Sequence, residues 1–227
     1  MEQSTDLSDA AKVAAMINAE IQALSLRNTK TIRAIRRKYS RILKLASPEF
    51  VLQLARRLLK VDATRWIAYE LIRAHKPTFG SLGEAELKDL GHGLNSWWTV
   101  DSFARTLSGP VWLNGQVPDK LILKWARSKD RWWRRAALVS TVALNTQSDG
   151  GKGDVSRTLQ VCRLLANDHD DMVMKAMSWA LRELVVHDPQ AVQAFMAEYD
   201  EVLAARVKRE VANKLRTGLK NAPRTRY

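Results

Sequence analysis

The chain has 227 residues, 46 % hydrophobic and 27 % charged, a globular composition that excludes intrinsic disorder. Its net charge of +13 and pI near 10.1 point to a polyanionic partner, nucleic acid ahead of an anionic membrane surface. A single cysteine excludes a disulfide framework, and the lack of any run of about 18 apolar residues excludes a membrane span.

From the N-terminus, Met1 to Asp6 is polar and acidic, without the basic start and apolar core of a secretory signal, which fits a cytoplasmic protein. Amphipathic segments of helical period then follow one another, and alternating strand patterns are missing. The pattern predicts helices over 8–25, 29–44, 48–60, 63–75, 82–91, 95–108, 117–127, 130–145, 154–166, 171–187, 189–198 and 201–218. Candidate caps stand at Ser47, Asp62, Ser81, Asn95, Asp130, Asp154, Asp188 and Asp200. The second helices of successive pairs start near 63, 95, 130, 171 and 201. A period of roughly 30 to 40 residues is that of stacked helix pairs. The expected fold is all-α, a curved solenoid of about six HEAT-like antiparallel helix pairs forming one domain over 1–227, with second helices on the concave side. Thr146 to Gly153 reads as a flexible loop, and 217–227 as a frayed basic tail.

The helix over 95–108 has an apolar stripe of Val100, Phe103, Ala104 and Leu107. Trp97, Trp98, Asp101 and Arg105 fall on the opposite arc, where tryptophans are hard to explain as core. On the helix from Asp171, Trp179 likewise lies away from the stripe, beside Lys175, Arg182 and Glu183. On the helix from Asp130, Arg135 shares the arc of Leu138, Val139 and Val142, so it needs a charge or phosphate partner. Arg131 and Arg134 point elsewhere, as basic surface or phosphate contacts. If these second helices stack as neighbours, Trp97, Asp101, Arg135 and Trp179 meet in one patch of aromatic planes, one carboxylate and a guanidinium. A carboxylate repels phosphate, so its place there argues for chemistry or for reading a cation. Taken alone, Asp101 would pair with Arg105 one turn on. Trp66, Trp112 and Trp125 read as core or half-buried, Trp132 and Trp133 as split between core and groove, and Cys162 as a small core residue. His75, His92, His169 and His187 have no metal-ligand spacing, and there is no phosphate-binding glycine loop, so no metal or cofactor is expected.

The strings NSWWTVD at 95–101, RWWRRAAL at 131–138, MSWALRE at 177–183 and KREVANKL at 208–215 resemble the AlkD-like DNA alkylation repair glycosylases, built from HEAT-like repeats. The resemblance runs from about residue 10 to about 215. It implies hydrolysis of the glycosidic bond of cationic N3- or N7-alkylpurines, such as 3-methyladenine and 7-methylguanine, in duplex DNA. The protein would act as a monomer in the cytoplasm, on the nucleoid. By position it makes Asp101 the catalytic aspartate, Trp97 and Trp179 the lesion-facing tryptophans, and Arg135 the active-site arginine beside phosphate. Arg131, Arg134, Lys175 and Arg182 are the further DNA-contacting candidates, and the roles of Trp98 and Trp133 stay open. Trp98 departs from the family, which often has an acid there, and the 146–153 loop is longer than usual. In this family the lesion stays stacked in the duplex, which suits an open groove. Two other readings remain: a non-catalytic HEAT-like binder of bent or branched DNA, and a helical scaffold for protein partners.

Overall fold

The computed structural model describes residues 9–221, and among them every regular element is helical. They divide into two compact units at the boundary between His92 and Gly93. The end of the predicted basic tail, 222–227, lies outside the described residues. None of the described helices is long and apolar enough to cross a membrane.

The first unit holds α1 (Ala10–Gln22), α2 (Thr29–Ile42), α3 (Pro48–Leu58), α4 (Arg65–Ala74), α5 (Lys76–Gly80) and α6 (Glu84–Leu90). α1 packs on α3, α3 on α4, and α2 on α4. Val13, Ile17, Tyr39, Leu54, Leu58, Ile67 and Ile72 form its centre. Ser47 caps α3 by accepting the Phe50 N–H at 3.2 Å, with Pro48 pre-set for the first turn. The short α5 escaped the sequence reading because five residues carry no periodicity. It starts because His75 Nδ1 accepts the Thr78 N–H at 3.3 Å. The cap expected at Ser81 is displaced to Gly83, whose N–H is accepted by Glu86 at 2.9 Å. The side chain of Asp62 lies outside the described residues.

The second unit opens with α7 (Trp97–Phe103), a widened π turn over Ala104–Ser108, and α8 (Gly109–Leu113). Then follow α9 (Asp119–Ala126), α10 (Arg131–Asn145), α11 (Val155–Leu164), α12 (Asp171–Leu184), α13 (Pro189–Glu198) and α14 (Ala205–Thr217). α10 is the hub: every residue from Arg135 to Asn145 is buried, and α7, α8, α9, α11 and α12 all pack on it. Asp130, Asp154 and Asp188 cap their helices as predicted, accepting N–H groups of Trp132, Arg157 and Ala191 at 2.8, 2.9 and 2.8 Å. Asn95 yields its cap to Ser96, and the helix expected from 201 starts at Ala205.

The helix read as 95–108 runs on to Leu113 through the π turn. Pro110 has no N–H to give, and its ring would strike the carbonyl four residues back, so an ordinary turn is disfavoured there. The Gly109 N–H instead bonds Ala104 O, five residues back. Only glycine fits at 109, since a Cβ would sit 2.8 Å from Ala143 Cβ.

Cys162 is fully buried, as expected of a core residue, and burial pushes its thiol up to about 12. Labelling by a thiol reagent at neutral pH is therefore expected only as the chain unfolds in denaturant. Rapid labelling of the native protein would contradict this burial.

Candidate active site

Ser96 and Thr99 fix the start of α7 reciprocally, their hydroxyls 2.9 Å apart. Val100, Phe103, Ala104 and Leu107 then face the core and are fully buried. That choice of face turns Trp97 outward, 58 % exposed, with Asp101 one turn further on. Trp98 is half-buried, and its carbonyl accepts the Ser102 hydroxyl at 2.7 Å.

The partner that Arg135 needs is Asp101. Arg135 is only 5 % exposed. Its Nε donates to Asp101 Oδ1 at 2.9 Å and its Nη2 to Oδ2 at 2.8 Å, a forked pair joining α10 to α7. Its Nη1 donates to the Met172 carbonyl at the start of α12. The expectation that Arg135 faces phosphate thus gives way to a different geometry, in which its fork grips the carboxylate. Burial pushes the Asp101 carboxyl above its ordinary value, while the bonds and charge of Arg135 and the charge of Arg105 pull the other way.

Arg105 does not pair with Asp101. Its Nη2 meets Asp149 Oδ2 at 2.9 Å, its Nη1 donates to Thr146 Oγ1 at 3.3 Å, and its Cζ lies 5.9 Å from the centre of the Trp179 ring. Trp179 is half-buried on α12 and donates its indole N–H to Glu183 at 3.0 Å. Asp101, Arg135, Arg105 and Trp179 are therefore linked from α7, its π turn, α10 and α12.

The other candidates separate. Arg134 is bonded to Asp168 at 2.6 Å and to the carbonyls of Ser128 and Lys129 at 3.1 and 2.8 Å, so it closes the turn before α10. Trp133 packs against Trp125 with ring centres 4.7 Å apart and planes tilted by 44°, and meets Phe103 in a T-shaped contact at 6.1 Å, which makes it a support beneath α7. Arg131 is exposed, 4.8 Å from the Trp132 ring centre and 3.4 Å from Asp170. Lys175 meets Asp171 at 2.6 Å, and Arg182 donates to Ser178 Oγ at 3.2 Å. Burial lowers the pKa of Arg182, against the pull of Glu210 and Glu183.

Sequence reasoning missed Arg105 as a member in its own right, although its place one turn after Asp101 was the signal. Asp149 had no signal, lying in a polar string without periodicity. Among the described residues no three of His, Cys, Asp and Glu gather as metal ligands.

A basic protein whose described residues are helical, with an arginine–aspartate pair set one turn from an exposed tryptophan, fits a class that handles nucleic acid. Over residues 1–215 the sequence matches the family described as DNA alkylation repair enzyme, and the chain belongs to that family. No match is found among curated proteins.

Proposed function

We propose that this protein is a DNA glycosylase that hydrolyses the bond between deoxyribose and an N3- or N7-alkylated purine in duplex DNA. The observation that carries the reading is the pair itself: a half-buried carboxylate held by a forked arginine, next to tryptophans that the core does not use. An alkylated purine carries a positive charge and departs as a neutral base. The C1′–N bond breaks, its electron pair neutralises the base, and no general acid is required. One carboxylate then suffices where sugar hydrolases use two. Asp101 faces the deoxyribose as it becomes oxocarbenium-like and stabilises that charge. It also accepts the proton of the water that adds to C1′. Trp97 and Trp179 offer π faces to the sugar and the cationic base. Arg135 holds Asp101 ionised and oriented, and Arg131, Lys175 and Arg182 are left as candidate phosphate contacts.

Within each unit the helices are inferred to form HEAT-like pairs. In the second unit α9 packs on α10 and α11 on α12, while α12 packs on both α10 and α14. The second helices start at 65, 97, 131, 171 and 205, near the predicted spacing.

Charge favours DNA as partner. α2 carries Lys30, Arg33, Arg36, Arg37, Lys38 and Arg41 and no acid. Glu70 pairs with Arg33 and Arg36, and Glu20 with Lys38. Lys30, Arg37 and Arg41 share one exposed stripe, where the like charges of Arg37 and Arg41, one turn apart, cost about 0.2–0.5 kcal/mol. A protein that tolerates this suits a polyanion. Affinity for methylated duplex DNA is expected to fall steeply with salt, each neutralised phosphate adding about −0.9 to the log–log slope. Release of 7-methylguanine should accompany binding. Binding without release would favour the non-catalytic binder, and salt-independent or absent binding would favour the scaffold.

A further inference from the structure

The segment from Thr146 to Gly153 read as a flexible loop, yet it is closed on itself and reaches the site. Gly151 N bonds the Thr146 carbonyl at 3.1 Å, and Gly153 N bonds the Leu144 carbonyl at 3.2 Å. A Cβ at Gly151 would overlap the carbonyls of Ala143 and Leu144. Gly153 has φ of 91°, and a Cβ there would sit 2.6 Å from the His187 ring. The glycines therefore allow a tight bracket. It presents two oxygens to one side chain. Thr146 Oγ1 spends its proton on Val142 O at 2.8 Å, which leaves its lone pairs for Arg105 Nη1. Asp149 Oδ2, buried and without a hydrogen bond, lies 2.9 Å from Nη2 of the same guanidinium as an ion pair. Arg105 thus has its fork held from one side, within the roughly 6 Å over which a cation attracts an aromatic face, here that of Trp179.

We propose that Arg105 is a positioning residue, gripped by Asp149 and Thr146 so that it braces the Trp179 ring and fixes how that aromatic wall meets Asp101. The role in the reaction rests on the glycosylase reading of Asp101 and Trp179; the brace itself does not. It makes the 146–153 segment part of the site at a distance from the lesion. The charges around Asp101 follow from the same arrangement. Arg135 faces it from α10 and Arg105 from its own helix, with Asp149 behind Arg105. Asp171, at the start of α12, feels Arg135 and is itself paired with Lys175 and Arg206. Removing Arg105 takes a cation from Asp101. Removing the charge of Asp149 takes away an acid and frees that cation.

The test uses Arg105→Gln, Arg105→Lys and Asp149→Asn in the full chain. The Trp179 indole N–H and the Asp101 carboxyl are followed by NMR. The Trp112 indole, bonded to Asp119 at 2.7 Å, reports the fold. In Arg105→Gln and Asp149→Asn the Trp179 signal is expected to move while that of Trp112 stays. The Asp101 midpoint should rise in Arg105→Gln and fall in Asp149→Asn. Arg105→Lys keeps the charge without the fork, so it should move Trp179 and leave the Asp101 midpoint nearly in place. With methylated DNA, kcat is expected to drop by up to about 10²-fold in Arg105→Gln and Asp149→Asn, with KM little changed. Unmoved Trp179 and Asp101 signals in Arg105→Gln and Asp149→Asn would overturn the brace. Moved signals with unchanged kcat would overturn the positioning role. If the wild type releases no base, the glycosylase reading fails by itself, and the two NMR signals still decide the brace.

Discussion

Asp101→Asn is expected to lower base release from methylated DNA by at least about 10²-fold while leaving DNA affinity nearly unchanged. Asparagine keeps the shape and one acceptor for Arg135, but it brings no negative charge to the oxocarbenium-like sugar. It also cannot take the proton of water. Substrate held mainly through phosphates does not depend on that charge, so the loss belongs to kcat. The same account fixes a pH dependence. Activity needs the anion, and burial raises the Asp101 pKa above 3.8, the ordinary aspartate value. The acid limb of the rate profile should therefore lie at higher pH than for an exposed aspartate. For stability the sign is the reverse: a raised pKa contributes stability at low pH, and that contribution is lost as pH rises through the folded-state value. Ionising Asp101 therefore works against the fold, which suits a catalytic anion better than a structural one.

The second large effect is on Arg135. Replacing it by methionine fills part of the volume and removes the fork, leaving Asp101 half-buried with only the more distant Arg105. The pair is well shielded, its side chains 6 % and 18 % exposed for Arg135 and Asp101. Breaking such a pair from one side costs about 3–5 kcal/mol, on the order of 10 °C in melting temperature for a chain of this size. The loss should be smaller at acid pH, where Asp101 takes up a proton and the uncompensated charge disappears. It should also be smaller when Asp101→Asn is added, giving a positive coupling in the double-mutant cycle. Urea midpoints at neutral and acid pH check both statements. An equal loss at both, with additive single mutants, would show that Arg135 and Asp101 do not depend on each other. Release of 7-methylguanine should fall as well, because the carboxylate loses the bonds that aim it.

The long helices were legible because each carries several turns of apolar period and most have an acidic or hydroxyl cap. α10 shows the limit of that method. It is buried all along from Arg135, and only its pairing with α7 and α12 explains an arginine on its apolar arc. The sequence demanded a partner for Arg135 and left open whether it was a charge or a phosphate; the packing supplies Asp101. The π turn was not legible, since it follows from Pro110 combined with the close approach of Gly109 to α10. Arg134 reads as a surface cation until the Asp168 carboxylate and two turn carbonyls are seen around it. The 146–153 string looks flexible because its glycines carry no pattern. Their role lies in contacts with Ala143, Leu144 and His187, which no local rule announces. Trp97 was the most legible residue of the site, since an indole opposite a full apolar stripe has no core to enter.

The most direct test of the central claim is the amount of free 7-methylguanine released from methylated duplex DNA, compared between the wild type and Asp101→Asn at enzyme concentrations that bind the DNA equally. Release by the wild type, with the variant at the spontaneous background, is the predicted result. Equal release by both, or none by the wild type when DNA is bound, would contradict it.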